Sequence, residues 1–371
     1  MTIIKNELKV IKEKYATPRK SQIVPDEGEI AIEDLIVNEG VIITLTHNGL
    51  IKRTNVSSYR SQRRGGKGVI GMTTREAATD EDKDFIEHLF TASTHDYLMF
   101  FTNTGRVYVE RVHEIPDMGR AAKGRSIANL LELKAGENVA ALIRVLSKTD
   151  ADKKDITWEQ PGYVFFATKQ GTVKKTALAD FANVRKGGII AIGIDQGDNL
   201  IEVKLTTGKS EVVLITRDGM SIRFNEEDAR PMGRPAGGVR GISLYKGDAV
   251  VALSVVVPDA KLLVAGENGI GKRTDFEEYR IQSRGGKGII TMKTNEKTGA
   301  VVGALTVRDT DEIMLITVGG QMVRIPVQGI REAGRNTQGV KLVNLAEKDK
   351  LQAIAPVVGE DREDSMSEAA S

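Results

Sequence analysis

At 371 residues the chain exceeds what one hydrophobic core usually fills, so several domains or a repeat architecture is required. The absence of cysteine excludes disulfides and thiolate metal sites and fits a reducing compartment, and no apolar run approaches transmembrane length. The net charge of +2 is unevenly spread: residues 1–40 carry −2 and residues 359–371 carry −4, leaving +8 on residues 41–358. A basic body with an acidic tail is common in chains that bind polyanions.

Residues 1–24 read as an amphipathic helix, with Ile4, Leu8, Ile11 and Tyr15 on one face and Pro18 marking its end. Residues 25–40 form an acidic approach, read as a linker or an irregular first strand. The four histidines (His47, His88, His95, His113) show no ligand spacing, so no metal site is expected.

From Val41 a unit repeats six times. Each copy opens with an apolar run, such as VIITLT (41–46) or YVFFAT (163–168), and a glycine soon follows: Gly49, Gly105, Gly171, Gly219, Gly269 and Gly320. A basic strand comes next: LIKRT, RVYVE, TVKKT, MSIRF, IGKRT and QMVRI. This is hairpin chemistry. The glycine spacings are 56, 66, 48, 50 and 51, the two long ones reflecting an acidic insert at 76–92 and a polar insert at 147–160. A period of about 50 residues belongs to propellers and arrays.

A second glycine lies nineteen residues beyond the first in five units (Gly68, Gly124, Gly238, Gly288, Gly339) and seventeen beyond in the third (Gly188). It opens a third strand, and a fourth apolar run ends each unit. Unit one's fourth run, HLFTAS (88–93), is weak. Six four-stranded units predict a closed radial array rather than a linear solenoid, because no polar capping repeats flank them.

The connection between the second and third strands carries an arginine near a glycine in every copy. Unit one is the most basic, with Arg60, Arg63, Arg64 and Lys67 among Gly65, Gly66 and Gly68. From Val41 to Arg75 there are seven bases and no acid. Glycines let backbone N–H groups approach an anion, and guanidinium forks pair with phosphate oxygens. One such loop is commonly just a solvated turn. Six in register predict a basic track around a disc.

The stretch Gln62-Arg63-Arg64-Gly65-Gly66-Lys67-Gly68 matches the seven-residue box of DNA gyrase A proteins. Gln282-Ser283-Arg284-Gly285-Gly286-Lys287-Gly288 is a one-substitution copy. Residues 30–358 therefore resemble the C-terminal DNA-wrapping domain family of those proteins. The resemblance implies an all-β fold, a six-bladed β-propeller-like β-pinwheel with four strands per blade, preceded by a short helix like the end of the gyrase A N-terminal part. The domains implied are 1–24 helical, 25–40 linker, 41–358 pinwheel and 359–371 acidic disordered tail.

The box residues Gln62 to Gly68 are expected to bind DNA. The other expected rim bases are Lys52, Arg53, Arg60, Arg120, Lys123, Arg185, Lys186, Arg234, Arg284, Lys287 and Arg335. No tyrosine has the catalytic Arg-Tyr context and no GxxxxGK[ST] loop is present, so no catalysis and no cofactor are expected of this chain alone. The resemblance places ATP and Mg²⁺ use elsewhere in a holoenzyme. Its partners would be double-stranded DNA, the N-terminal breakage–reunion part of the gyrase A protein, and the gyrase B protein, with no membrane. The location implied is the cytoplasm, at the nucleoid, and the chain would be a fragment or a separately made domain. Two rivals stand beside this: a topoisomerase IV-type domain, which would not explain the intact box, and a propeller scaffold, which would not explain the acid-free window.

Overall fold

The computed structural model describes residues 2–17, 21, 35–46, 48–56, 69–70, 84, 86–145 and 162–357. It divides into two compact units, Met1–Ile36 and Val37–Ser371. The box Gln62–Gly68, Arg60, Trp158 and the tail 359–371 lie outside the described residues.

The first unit holds α1 (Thr2–Tyr15). Its apolar residues Ile4, Leu8, Ile11 and Tyr15 are exposed. The helix closes with Ala16 N–H bonded to Lys12 O at 2.8 Å, just ahead of Pro18, the predicted stop. The physical reason is in the sequence: Thr17 precedes Pro18, and a residue before proline is pushed out of the helical region.

The second unit consists of six four-stranded antiparallel sheets, the blades of a propeller. First strands such as Gly40–Thr46 and Tyr97–Thr102 turn back through the hairpin glycine into second strands such as Leu50–Asn55 and Arg106–Arg111. The glycines take positive φ, between 73° and 85°, which an L side chain adopts only under strain. Unit one's weak fourth run forms a full strand, Ile86–Ser93, paired along Gly40–Thr46.

The third strands are exchanged between units: the order in every sheet is fourth, first and second strand of one unit, then the third strand of the next. Arg125–Ser126 of unit two pairs with Leu50 and Ile51 of unit one, and Ile289–Ile290 of unit five pairs with Met220 and Ser221 of unit four. These third strands are only two residues long, too short to hold by themselves. They are fixed by carbonyls freed at the neighbouring hairpin: Ile127 N–H donates to Gly49 O (2.7 Å) and Thr291 N–H to Gly219 O (2.8 Å).

The exchange closes the ring. Val69–Ile70 of unit one pairs with Met322 and Gln321 of unit six. Fourth strands of successive units lie side by side all the way round, including the first against the sixth, so they surround the centre. The donated third strands therefore form the outer edges. Each first strand is apolar on both faces because it lies between two cores. Ile43 joins the cluster shared with blade two, and Ile42 joins the one shared with blade six. Six such clusters fill the six junctions between blades.

Candidate nucleic-acid interface

The connection between second and third strands begins in its own blade with a 3₁₀ turn, such as Glu226–Asp228 or Phe276–Glu278. It ends as the outer strand of the preceding blade. Each described connection, in units two to six, is thus a strap across two blades on the outer edge, and the bases it carries are held there.

Of the predicted rim bases, Lys52 is interior and Arg53 half-buried. Lys52 is 0% exposed. Its ammonium donates to Gly119 O (3.2 Å), Ala122 O (3.0 Å) and Arg120 O of unit two's strap. Arg53, beside it, is half-buried. Its backbone brackets the same strap, with Arg53 N–H to Pro116 O at 2.9 Å and Met118 N–H to Arg53 O at 3.1 Å, and its guanidinium lies 3.8 Å from Asp117. These second-strand bases are therefore seated against the neighbouring straps. The same holds elsewhere: Lys175 Nζ donates to Glu226 O (3.0 Å), Arg223 Nη1 to Tyr279 O (3.1 Å) and Arg273 Nε to Ile330 O (2.7 Å). A base among apolar neighbours has to find internal acceptors.

Lys174 and Lys272 repeat the Lys52 arrangement and are also 0% exposed. Lys174 Nζ donates to Ala191 O (2.7 Å) and Arg234 O, and Lys272 Nζ to Gly334 O (2.6 Å), Thr337 Oγ1 (3.0 Å) and Arg335 O. Burial pushes all three lysines down to about 8. The charges of Arg120, Arg234 and Arg335 add to the fall, while Asp180 opposes it at Lys174 and Glu278 at Lys272. Between about pH 8 and the ordinary lysine range, the unfolded chain keeps a proton that the folded chain has released, so stability from these groups rises with pH. Lys272→Met should remove that rise. The melting temperature of the natural chain minus that of the variant is expected to be larger at about pH 10 than at about pH 7.5. A difference that stays constant contradicts the assignment.

The remaining predicted bases of the described straps do reach the surface. Arg120, Lys123, Arg185, Lys186 and Lys287 are exposed. Arg234, Arg284 and Arg335 are half-exposed because each guanidinium also reaches the neighbouring unit: Arg234 to Asp180 O (3.1 Å), Arg284 to Asp228 O (2.9 Å) and Arg240 O (3.1 Å), Arg335 to Ile290 O (2.8 Å). Lys287 lies over the Tyr245 ring at 4.3 Å. Among the described residues no group of three or more His, Asp or Glu could hold a metal ion, and no helix is long and apolar enough to cross a membrane.

Comparison with known proteins agrees with this geometry. The family model "DNA gyrase C-terminal domain, beta-propeller" matches six segments, residues 40–93, 96–145, 162–207, 210–256, 260–308 and 311–357. The chain belongs to the DNA gyrase A C-terminal domain family. It is 43% identical over 370 residues to the DNA gyrase A protein of Mycolicibacterium smegmatis, covering 99% of this chain and 42% of that protein. It is 42% identical over 371 residues to the DNA gyrase A protein of Haloquadratum walsbyi, again covering 42% of it. The chain thus spans well under half the length of these relatives. A solved DNA gyrase A C-terminal domain superposes with a TM-score of 0.73 at 27% identity, over 86% of this chain and all (100%) of that one. The C-terminal domain of DNA topoisomerase IV gives 0.64 at 27% identity, over 90% and 98%.

In this chain, sequence reasoning missed a second register of bases. Arg230, Arg280 and Arg331 are exposed, and each lies eleven residues beyond its hairpin glycine, the position of Arg60 in unit one. Counting from the hairpin glycine would have found them. Arg125, Arg240 and Lys341 are also exposed, on the donated strands, and only the exchange reveals that these strands are outer edges.

Proposed function

We propose that this chain binds duplex DNA without reading its sequence and bends it around the outer edge of the propeller, as the DNA-wrapping part of a type IIA topoisomerase of the gyrase kind. The observation that carries this is the placement of exposed bases in register on the straps of units two to six, at the rim of a closed ring. Phosphate contacts supply affinity through counterion release and little sequence information. Bending 20–30 bp of duplex sharply costs about 1–6 kcal/mol. Straps spaced round a rigid rim offset that cost, since each further contact is open only to bent DNA.

The partners in this account are duplex DNA, the breakage–reunion part of the gyrase A protein, and the gyrase B protein, in the cytoplasm at the nucleoid. ATP and Mg²⁺ would act in those other parts. The box Gln62–Gly68 is assigned to DNA as well, on its sequence, and it directly precedes the ring-closing strand Val69–Ile70. A wrapping surface binds longer duplexes more tightly until the rim is filled, so affinity should climb with duplex length and then level off. Filter binding on a length series tests this, and a flat series would favour a protein-interaction scaffold. The similarity to topoisomerase IV supports a second reading with the same fold. Supercoiling in the presence of a complementing N-terminal part separates the two, because only the gyrase kind introduces negative supercoils.

A further inference from the structure

The six straps fall into two alternating kinds. Three residues beyond the hairpin glycine, units one, three and five carry Lys52, Lys174 and Lys272, whereas units two, four and six carry Tyr108, Ile222 and Val323. Because the straps are exchanged, the three lysines lie beneath the straps of units two, four and six. Each ammonium takes a backbone carbonyl from the one arginine fifteen residues beyond that strap's own hairpin glycine: Arg120, Arg234 and Arg335. Neighbouring threonines add to two of these seats, with Thr54 Oγ1 donating to Met118 O (3.0 Å) and Thr274 Oγ1 to Ala333 O (2.8 Å).

The described straps of the other kind, in units three and five, rest on a neutral floor and are shaped by glycine. Unit five's Gly285 has φ +83°, and its N–H donates to Gly241 O at 2.6 Å. In unit three a Cβ on Gly188 would meet the Tyr108 ring at 2.7 Å.

We propose that Lys52, Lys174 and Lys272 are positioning residues for DNA binding. Each ammonium is an internal cation around which the next unit's strap folds its carbonyls, so that Arg120, Arg234 and Arg335 are presented ready-shaped on alternate blades. The proposal rests on the DNA-binding reading of the rim. A loop whose carbonyls converge on a buried donor is ordered before any ligand arrives, and ordering at the moment of binding is one of the main costs of association. Among the described straps the rim then has three rigid arginine posts, alternating with the glycine-shaped loops of units three and five.

The test is a double-mutant cycle on the 371-residue chain, using Lys52→Met and Arg120→Ala, with duplex affinity measured across a salt series. Arg120→Ala should lower the log–log salt slope by about 0.9, one phosphate, and weaken binding about eightfold near 0.1 M salt. Lys52→Met should do the same, and the double variant no more than either. Additive losses, or an unchanged slope in Lys52→Met, overturn the proposal. Failure of the natural chain to bind DNA overturns the DNA reading instead. If Lys52→Met does not fold, the natural chain decides: its three buried ammonium groups should give slowly exchanging side-chain resonances before any duplex is added, and ammonium groups in fast exchange with water overturn the proposal.

Discussion

Between 50 and 200 mM salt, the affinity of this chain for duplex DNA is expected to fall about 10³–10⁵-fold, the range for six to ten phosphate contacts. The described straps supply eleven candidate bases: Arg120, Lys123, Arg185, Lys186, Arg230, Arg234, Arg280, Arg284, Lys287, Arg331 and Arg335. Several are partly committed to neighbouring carbonyls, so fewer than all are free to release counterions fully. Measuring the dissociation constant of one duplex across that range, with an unrelated duplex of equal length as control, checks both the slope and its indifference to sequence. A shallow slope contradicts the rim track.

Replacing Arg63, Arg64 and Lys67 together by Ala is expected to abolish DNA-induced writhe while leaving part of simple binding. Replacing Arg284 and Lys287 by Ala should only weaken wrapping. Unit one has Arg63 where unit five has Ser283, and no acid lies between Val41 and Arg75. In unit five the comparable charges are partly spent: Arg284 on two carbonyls, Lys287 over Tyr245. Upstream of that loop within unit five lie Asp275, Glu277 and Glu278, which lower its local potential; Asp275 accepts from Glu277 N–H (2.9 Å) and Glu278 from Arg335 N–H (2.7 Å). Topoisomer analysis of both variants decides, and loss of writhe in the unit-five variant alone contradicts the ranking.

The hairpins and the period were readable because a glycine at positive φ and an apolar run recur wherever the backbone turns. Strand exchange was not readable. A two-residue strand such as Ile289–Ile290 has no periodicity to betray its partner, and its partner lies in another unit. That one omission explains why Lys52 and Arg53 read as outward bases. Read as part of a lone hairpin, LIKRT is an outward basic strand, but beneath a donated strap its lysine is interior. The exposed bases on the straps were found where arginine adjoins glycine. They were missed where they stand apart from one, as at Arg230, Arg280 and Arg331.

The most direct test of DNA wrapping by this chain is ligation of nicked circular DNA in its presence, followed by removal of protein and separation of topoisomers. Wrapping around the rim traps writhe, so the distribution should shift away from that of protein-free circles, further with more protein, and collapse back in salt high enough to screen phosphate contacts. A distribution that matches protein-free circles, at protein concentrations where the duplex is fully bound, would contradict the account.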